Sequence, residues 1–159
     1  MPTARRGSSP TVVLAALAAL AVVACGRDAA PRKAPLPPDE ATEVLAQRIW
    51  LDKEPAGWSD PFHVLVFDPS GTGVYQERTV WKGTFELFLY EAEAGRLDLR
   101  LPATRKVVKT GFTIEPERRG EADVKLTLER VPAGPRVYRG YRVPGGDVET
   151  WVKARFAGE

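Results

Sequence analysis

From residue 62 to residue 143 the chain alternates apolar and polar side chains in short runs, and each run is cut off by turn chemistry. Leu97, Leu99 and Leu101 alternate with Asp98 and Arg100. Val108, Thr110, Phe112 and Ile114 fall on one face, and Val124, Leu126 and Leu128 alternate with Lys125, Thr127 and Glu129. A period of two marks half-buried strands. Asp68-Pro69-Ser70-Gly71-Thr72-Gly73, Glu93-Ala94-Gly95, Pro102-Ala103-Thr104, the charged stretch Pro116 to Gly120, Pro132-Ala133-Gly134-Pro135 and Pro144-Gly145-Gly146-Asp147 read as turns between them. Connections this short leave no room for crossover helices, so neighbouring strands must pair antiparallel.

The expected strands are 63–67, 74–79, 85–90, 97–101, 108–114, 124–128, 137–143 and a last segment from Val148 to Phe156. That last segment fits two patterns. Val148, Trp151, Val152 and Phe156 make a helical stripe, whereas Val148, Thr150, Val152, Ala154 and Phe156 make one strand face; β-branched residues and a preceding hairpin turn favour the strand. Upstream, residues 39–50 suit a short helix capped by Asp39, with Glu40 and Glu43 near its positive end, Leu45 and Ile49 one turn apart, and Trp50 plugging an open end of the domain. The fold class expected is all-β: about eight antiparallel strands in an up-and-down meander that closes into a small barrel, preceded by the short helix. Closure removes exposed edges. A two-sheet β-sandwich is the alternative, but it usually needs a long connection, and none follows residue 80.

The N-terminus has a different character. Arg5 and Arg6 precede an uncharged apolar run from Val12 to Val23, which ends in Val22-Val23-Ala24-Cys25. A bilayer-spanning helix needs about 20 apolar residues, and Arg27, Asp28, Arg32 and Lys33 prevent extension of this one. A basic start, a short apolar core and a small-residue cleavage site make an export signal. The segment resembles the signal and lipobox of bacterial lipoproteins, with Val22 where Leu is commoner. The resemblance implies cleavage before Cys25, a thioether-linked diacylglycerol on its sulfur and an acyl group on its new amino terminus. Cys25 is thus the lipidation residue, and the covalent lipid is the only added group expected. Gly26 after it implies, in a Gram-negative cell, delivery to the outer membrane facing the periplasm.

Three segments follow from this reading: 1–24 as signal peptide, 25–40 as lipidated cysteine and tether, and 41–159 as the β-barrel domain. Four prolines between residues 26 and 40 favour extended polyproline geometry, and fifteen residues at about 3.1 Å each reach roughly 45 Å. Arg5 and Arg6 are the only charges in the signal, so the mature chain carries 21 basic and 21 acidic side chains. The basic pI therefore gives no nucleic-acid signature. Cys25 is the sole cysteine, so disulfides, zinc clusters and a cysteine nucleophile are all excluded once it carries lipid.

The short helix containing Trp50, followed by eight meandering strands, resembles lipocalin-like (calycin) domains over most of residues 45–156, and the Phe67 to Gly73 turn is typical of small bacterial members. Gln47-Arg48-Ile49-Trp50 stands where lipocalins carry Gly-x-Trp, so no ligand residue is carried over.

No motif points to catalysis, and no enzymatic activity is expected. His63, the single histidine, sits in an apolar strand and reads as a strand-end residue. Ser59 and Ser70 lie in no Gly-x-Ser-x-Gly elbow, and Gly71-Thr72-Gly73 lacks the Gly-Lys-Ser/Thr ending of a phosphate loop. The i,i+2 carboxylates Glu91/Glu93 and Glu115/Glu117, and the basic clusters Arg105-Lys106-Lys109 and Arg118-Arg119, read as solvated charges, the basic ones also as a contact for anionic lipid or polysaccharide. A lone histidine gives no metal site. Aromatic residues are plentiful, and one run is unusual: Phe88 and Tyr90 alternate with Phe85, Leu87 and Leu89, so that strand is apolar on both faces. A second covered surface follows, under the N-terminal helix or under a partner. The expected function is a lipid-anchored, extracytoplasmic lipocalin-like barrel that binds a small apolar ligand; the alternative is a non-enzymatic envelope scaffold that binds another protein. The membrane is a partner in either case, and nucleic acid in neither.

Overall fold

The computed structural model describes residues 34–143 and 147–156. The signal segment, Cys25, most of the tether and the Pro144-Gly145-Gly146 turn lie outside the described residues. Eight antiparallel strands close into one barrel in strict chain order: β1 Ile49–Leu51, β2 Phe62–Asp68, β3 Thr72–Arg78, β4 Gly83–Glu93, β5 Arg96–Leu101, β6 Lys106–Arg119, β7 Ala122–Leu128 and β8 Val137–Tyr141. Helix α1, Pro38–Ala46, precedes them, and helix α2, Val148–Phe156, follows. The meander and its closure are those expected, and the sandwich is set aside.

The strand that closes the ring differs from expectation. Ile49-Trp50-Leu51 is not the end of the helix but the first strand, paired with both β2 and β8. The indole of Trp50 points inward between Leu65 and Gly140. Gly140 makes this possible, because a Cβ there would lie 2.8 Å from the indole and 2.6 Å from Val124. Helix α1 correspondingly stops at Ala46, starts from Pro37 without a side-chain cap, and holds Asp39 and Glu40 in its first turn. Asp39 is therefore a first-turn acid near the positive end of the helix and not its cap. Ala41 and Leu45 of α1 join the interior core with Trp50, Phe67, Phe88, Phe112 and Ile114, so α1 plugs the barrel across β2, β4 and β6. Upstream, Leu36 packs on the same core and its N–H donates to the Ile114 carbonyl at 2.8 Å.

Val148–Phe156 is a helix, α2, and not the strand that its β-branched residues suggest. Ile49, Leu51, Phe62, Val64 and Tyr141 are buried outside the barrel wall, and Val152 with Val148, Trp151 and Phe156 covers them. With β1 completing the ring, no sheet edge remained for this segment, and its 3.6-residue stripe could cover the outer apolar face instead. Asp147 starts it: its carboxylate accepts from the Thr150 N–H at 3.1 Å and from the Thr150 hydroxyl at 2.6 Å, the geometry of an N-cap.

Most turns fall where turn chemistry placed them. Asp68 accepts from Ser70 N–H and Gly71 N–H to form the β2–β3 turn, and Ala94 and Gly95 carry positive φ between β4 and β5. The Pro116 region is the exception. Strand β6 runs through it to Arg119 and absorbs the proline with a register shift between Pro116 and Arg119, a bulge of the kind that tolerates a missing N–H.

Candidate interaction surface

The barrel interior is filled. Leu65, Phe67, Phe88, Leu99, Leu101 and Leu128 meet across it, and the β7–β8 connection folds Val131, Pro132 and Ala133 over them. Gly134 of that connection packs so tightly that a Cβ would sit 2.6 Å from the Tyr75 hydroxyl oxygen. A cavity of about 20 Å³ remains, room for one water and far below the several hundred Å³ that ligand pockets occupy. The Tyr138 hydroxyl is buried beside it with no hydrogen-bond partner. Burial pushes the Tyr138 phenol up, and burial with nearby carboxylates pushes the Tyr75 phenol up to about 12.

His63 has the strand-end role expected of it. Its N–H donates to Asp52 Oδ1 at 2.7 Å, its Nδ1 lies 3.0 Å from Asp52 Oδ2, and its ring stacks on Tyr75. Asp52 thereby clips the end of β1 to the start of β2. Ser70 is held within its turn by Asp68 and Thr72, and Ser59 is exposed in the β1–β2 connection. The paired acids are dispersed into ion pairs: Glu91 with Arg100, Glu115 with Lys125 and Glu117 with Arg139. Lys109 pairs with Asp98, while Arg105, Lys106, Arg118 and Arg119 are exposed. Among the described residues no group of three His, Cys, Asp or Glu side chains is placed to hold a metal ion, and no helix is long and apolar enough to cross a membrane.

The outer wall of β4 is the distinctive surface. Phe88 and Tyr90 point inward, and Phe67 meets both rings edge-on. Phe85, Leu87 and Leu89 point out and stay 70%, 58% and 48% exposed, and Val107 on β6 is 61% exposed. Leu89 and Val107 flank Arg100 in register across β4, β5 and β6. Neither helix covers Leu87, Leu89 or Val107: α1 plugs the interior, and α2 lies over β1, β2 and β8 and reaches only the Phe85–Trp81 end, through Glu149 and Lys153. The second cover that a doubly apolar strand implies is therefore not supplied by the N-terminal helix.

Trp81 extends the patch. It shares a shallow surface cleft with Phe85 and meets Trp58 edge-on, with ring centres 5.9 Å apart, while Lys153 Nζ sits 5.9 Å from its ring. The chain leading into it is held by Arg78, a buried guanidinium that donates to the Thr79 and Val80 carbonyls and to Glu149 of α2. Nothing in the sequence marks Arg78 or the Trp58–Trp81 pair: adjacent Glu77 and Arg78 at a strand end and two loop tryptophans have no spacing to read.

The fold defines the class: a small, closed, up-and-down β-barrel plugged by an N-terminal helix, an architecture compatible with lipocalin-like domains. No protein-family model, curated protein or solved structure matches the chain.

Proposed function

We propose that this protein is a lipid-anchored, non-enzymatic binding module of the cell envelope, and that it works through the outer face of β4 rather than through its interior. One observation carries the reading: Phe85, Leu87, Leu89 and Val107 are exposed together, while the interior offers room for a single water. Contiguous exposed apolar surface on a soluble domain marks an interaction site. The barrel supplies rigidity, and Cys25, carrying lipid at the end of a proline-rich tether, would keep the module near a membrane, facing the periplasm from the outer membrane in a Gram-negative cell.

The test is photo-crosslinking in intact cells. A photoreactive residue at Leu87 is expected to give a discrete crosslinked species, and one at Thr113, exposed on β6, is expected to give none. Equal crosslinking at both positions, or none at either, overturns the reading. The anchor is checked separately with a palmitate analogue, which should label the wild type and leave Cys25→Ser unlabelled.

Carriage of a small apolar ligand is the second reading, favoured by the unpartnered Tyr138 hydroxyl in an otherwise apolar interior. It requires Val131 to Gly134 to swing away, and native mass spectrometry would show a retained ligand.

A further inference from the structure

The register of β4 leaves part of its backbone without a neighbour. On one side β4 pairs with β3 along its whole first half, from Gly83↔Arg78 to Leu89↔Thr72. On the other it pairs with β5 only from Leu89↔Arg100 to Glu93↔Arg96. The Tyr90 N–H donates to the Gly71 carbonyl, on the β3 side. Backbone groups alternate sides along a strand, so the N–H and C=O of Phe85 and Leu87 face away from β3. The next ladder partner of Leu87 would be Pro102, which has no N–H to give the Leu87 carbonyl, and among the described residues no hydrogen bond joins the Leu87 N–H to the Pro102 carbonyl. Strand β5 ends there, and its turn crosses to β6, held beside β4 by the Thr104 hydroxyl on Glu86 at 3.3 Å. The stretch Gly83 to Leu87 is thus an open sheet edge within a closed barrel, and it carries Leu87 and the most exposed large apolar side chain of the outer face, Phe85.

Resting on the outer-face reading above, we propose that this edge accepts an extended segment of a partner protein as an added strand. Main-chain hydrogen bonds to Phe85 and Leu87 would supply affinity, and alternate apolar side chains of the segment would lie on Phe85, Leu87 and Trp81. Charge selects the occupant. Lys82, next to Gly83, and Arg105 and Lys106, next to Thr104, flank the edge in sequence, all exposed and none with an ion-pair partner among the described residues, whereas the nearby acids are engaged, Glu86 by Thr104 and Glu149 by Arg78 and Lys153. An acidic-flanked segment complements them, whereas a second copy of this chain would bring the same basic residues to the interface.

The probe is a synthetic peptide, Glu-Glu-Val-Thr-Val-Thr-Val-Glu-Glu, compared with the same peptide N-methylated at its valines. The expected result is saturable binding of the first and at least tenfold weaker binding of the second. Leu87→Asp should also weaken binding at least tenfold. Pro102→Val, which returns the missing N–H to β5 and lets it cover the edge, should do the same without loss of thermal stability. Equal binding of both peptides, or binding of neither, overturns the added-strand mode. If Leu87 crosslinking in cells persists in that case, the outer-face reading survives without it; if crosslinking fails as well, both fall. Self-association in sedimentation, or binding to phosphatidylglycerol vesicles, that Leu87→Asp abolishes would assign the face to a second copy or to lipid and overturn the proposal.

Discussion

The indole Nε1–H of Trp50 donates to the Leu45 carbonyl at 2.9 Å, inside the buried core. This bond ties the last turn of the plug helix to the strand that closes the barrel. It satisfies both a buried indole donor and a carbonyl that the helix C-terminus leaves free. Trp50→Phe should keep most of the packing and lose the bond, lowering stability by about 1–2 kcal/mol. Trp50→Ala should cost about 3–5 kcal/mol through the cavity it leaves. Urea unfolding checks both, and equal midpoints for wild type and Trp50→Phe would show that the bond contributes nothing.

The segment between plug and closing strand is held by a second link, Arg48 to Asp123 of β7, with Nε to Oδ1 at 3.0 Å and Nη2 to Oδ2 at 2.8 Å. Burial works to raise the Asp123 carboxyl, but hydrogen bonds from Arg48 and Arg142 outweigh it and hold the group below its usual 3.8. A depressed folded-state value means that the contribution is complete above the unfolded-state value and is lost as pH falls through the folded one. Wild type should therefore be more stable than Asp123→Asn at pH 6, with the gap narrowing once the pH drops below about 4. A gap independent of pH would contradict this assignment.

The interior makes its own prediction. The Tyr138 hydroxyl is buried without a partner, and an unmade hydrogen bond of this kind costs about 1–3 kcal/mol. Tyr138→Phe removes the cost and keeps the ring, so the unfolding midpoint should rise or stay level. A clear fall would mean that the hydroxyl is bonded in solution, and would strengthen the ligand-carriage reading.

The strand pattern was legible because the barrel wall separates an apolar interior from solvent, and period two records that separation along β5, β6 and β7. The ends were less so. Ile49-Trp50-Leu51 is buried on both faces, inside by the core and outside by α2, so it shows no alternation and reads as the end of a helix. Val148 to Phe156 carries both periods, and only the prior closure of the ring by β1 decides between them. The two-faced character of β4 was visible in Phe85 to Tyr90, but the open edge beside it was not. That edge depends on register, which places Pro102 opposite Leu87, and register follows from the Glu93–Arg96 turn rather than from local composition.

Amide hydrogen exchange on the free protein tests the open edge most directly. In a fully paired β4, alternate amides would be protected alike. Here Glu86 and Phe88, which face β3, should exchange slowly, and Phe85 and Leu87, which face the gap, should exchange at least a hundredfold faster and become protected when the acidic-flanked peptide binds. Slow exchange at all four positions in the free protein would mean that the edge is already covered and would contradict the assignment of Gly83 to Leu87 as an open edge that accepts an added strand.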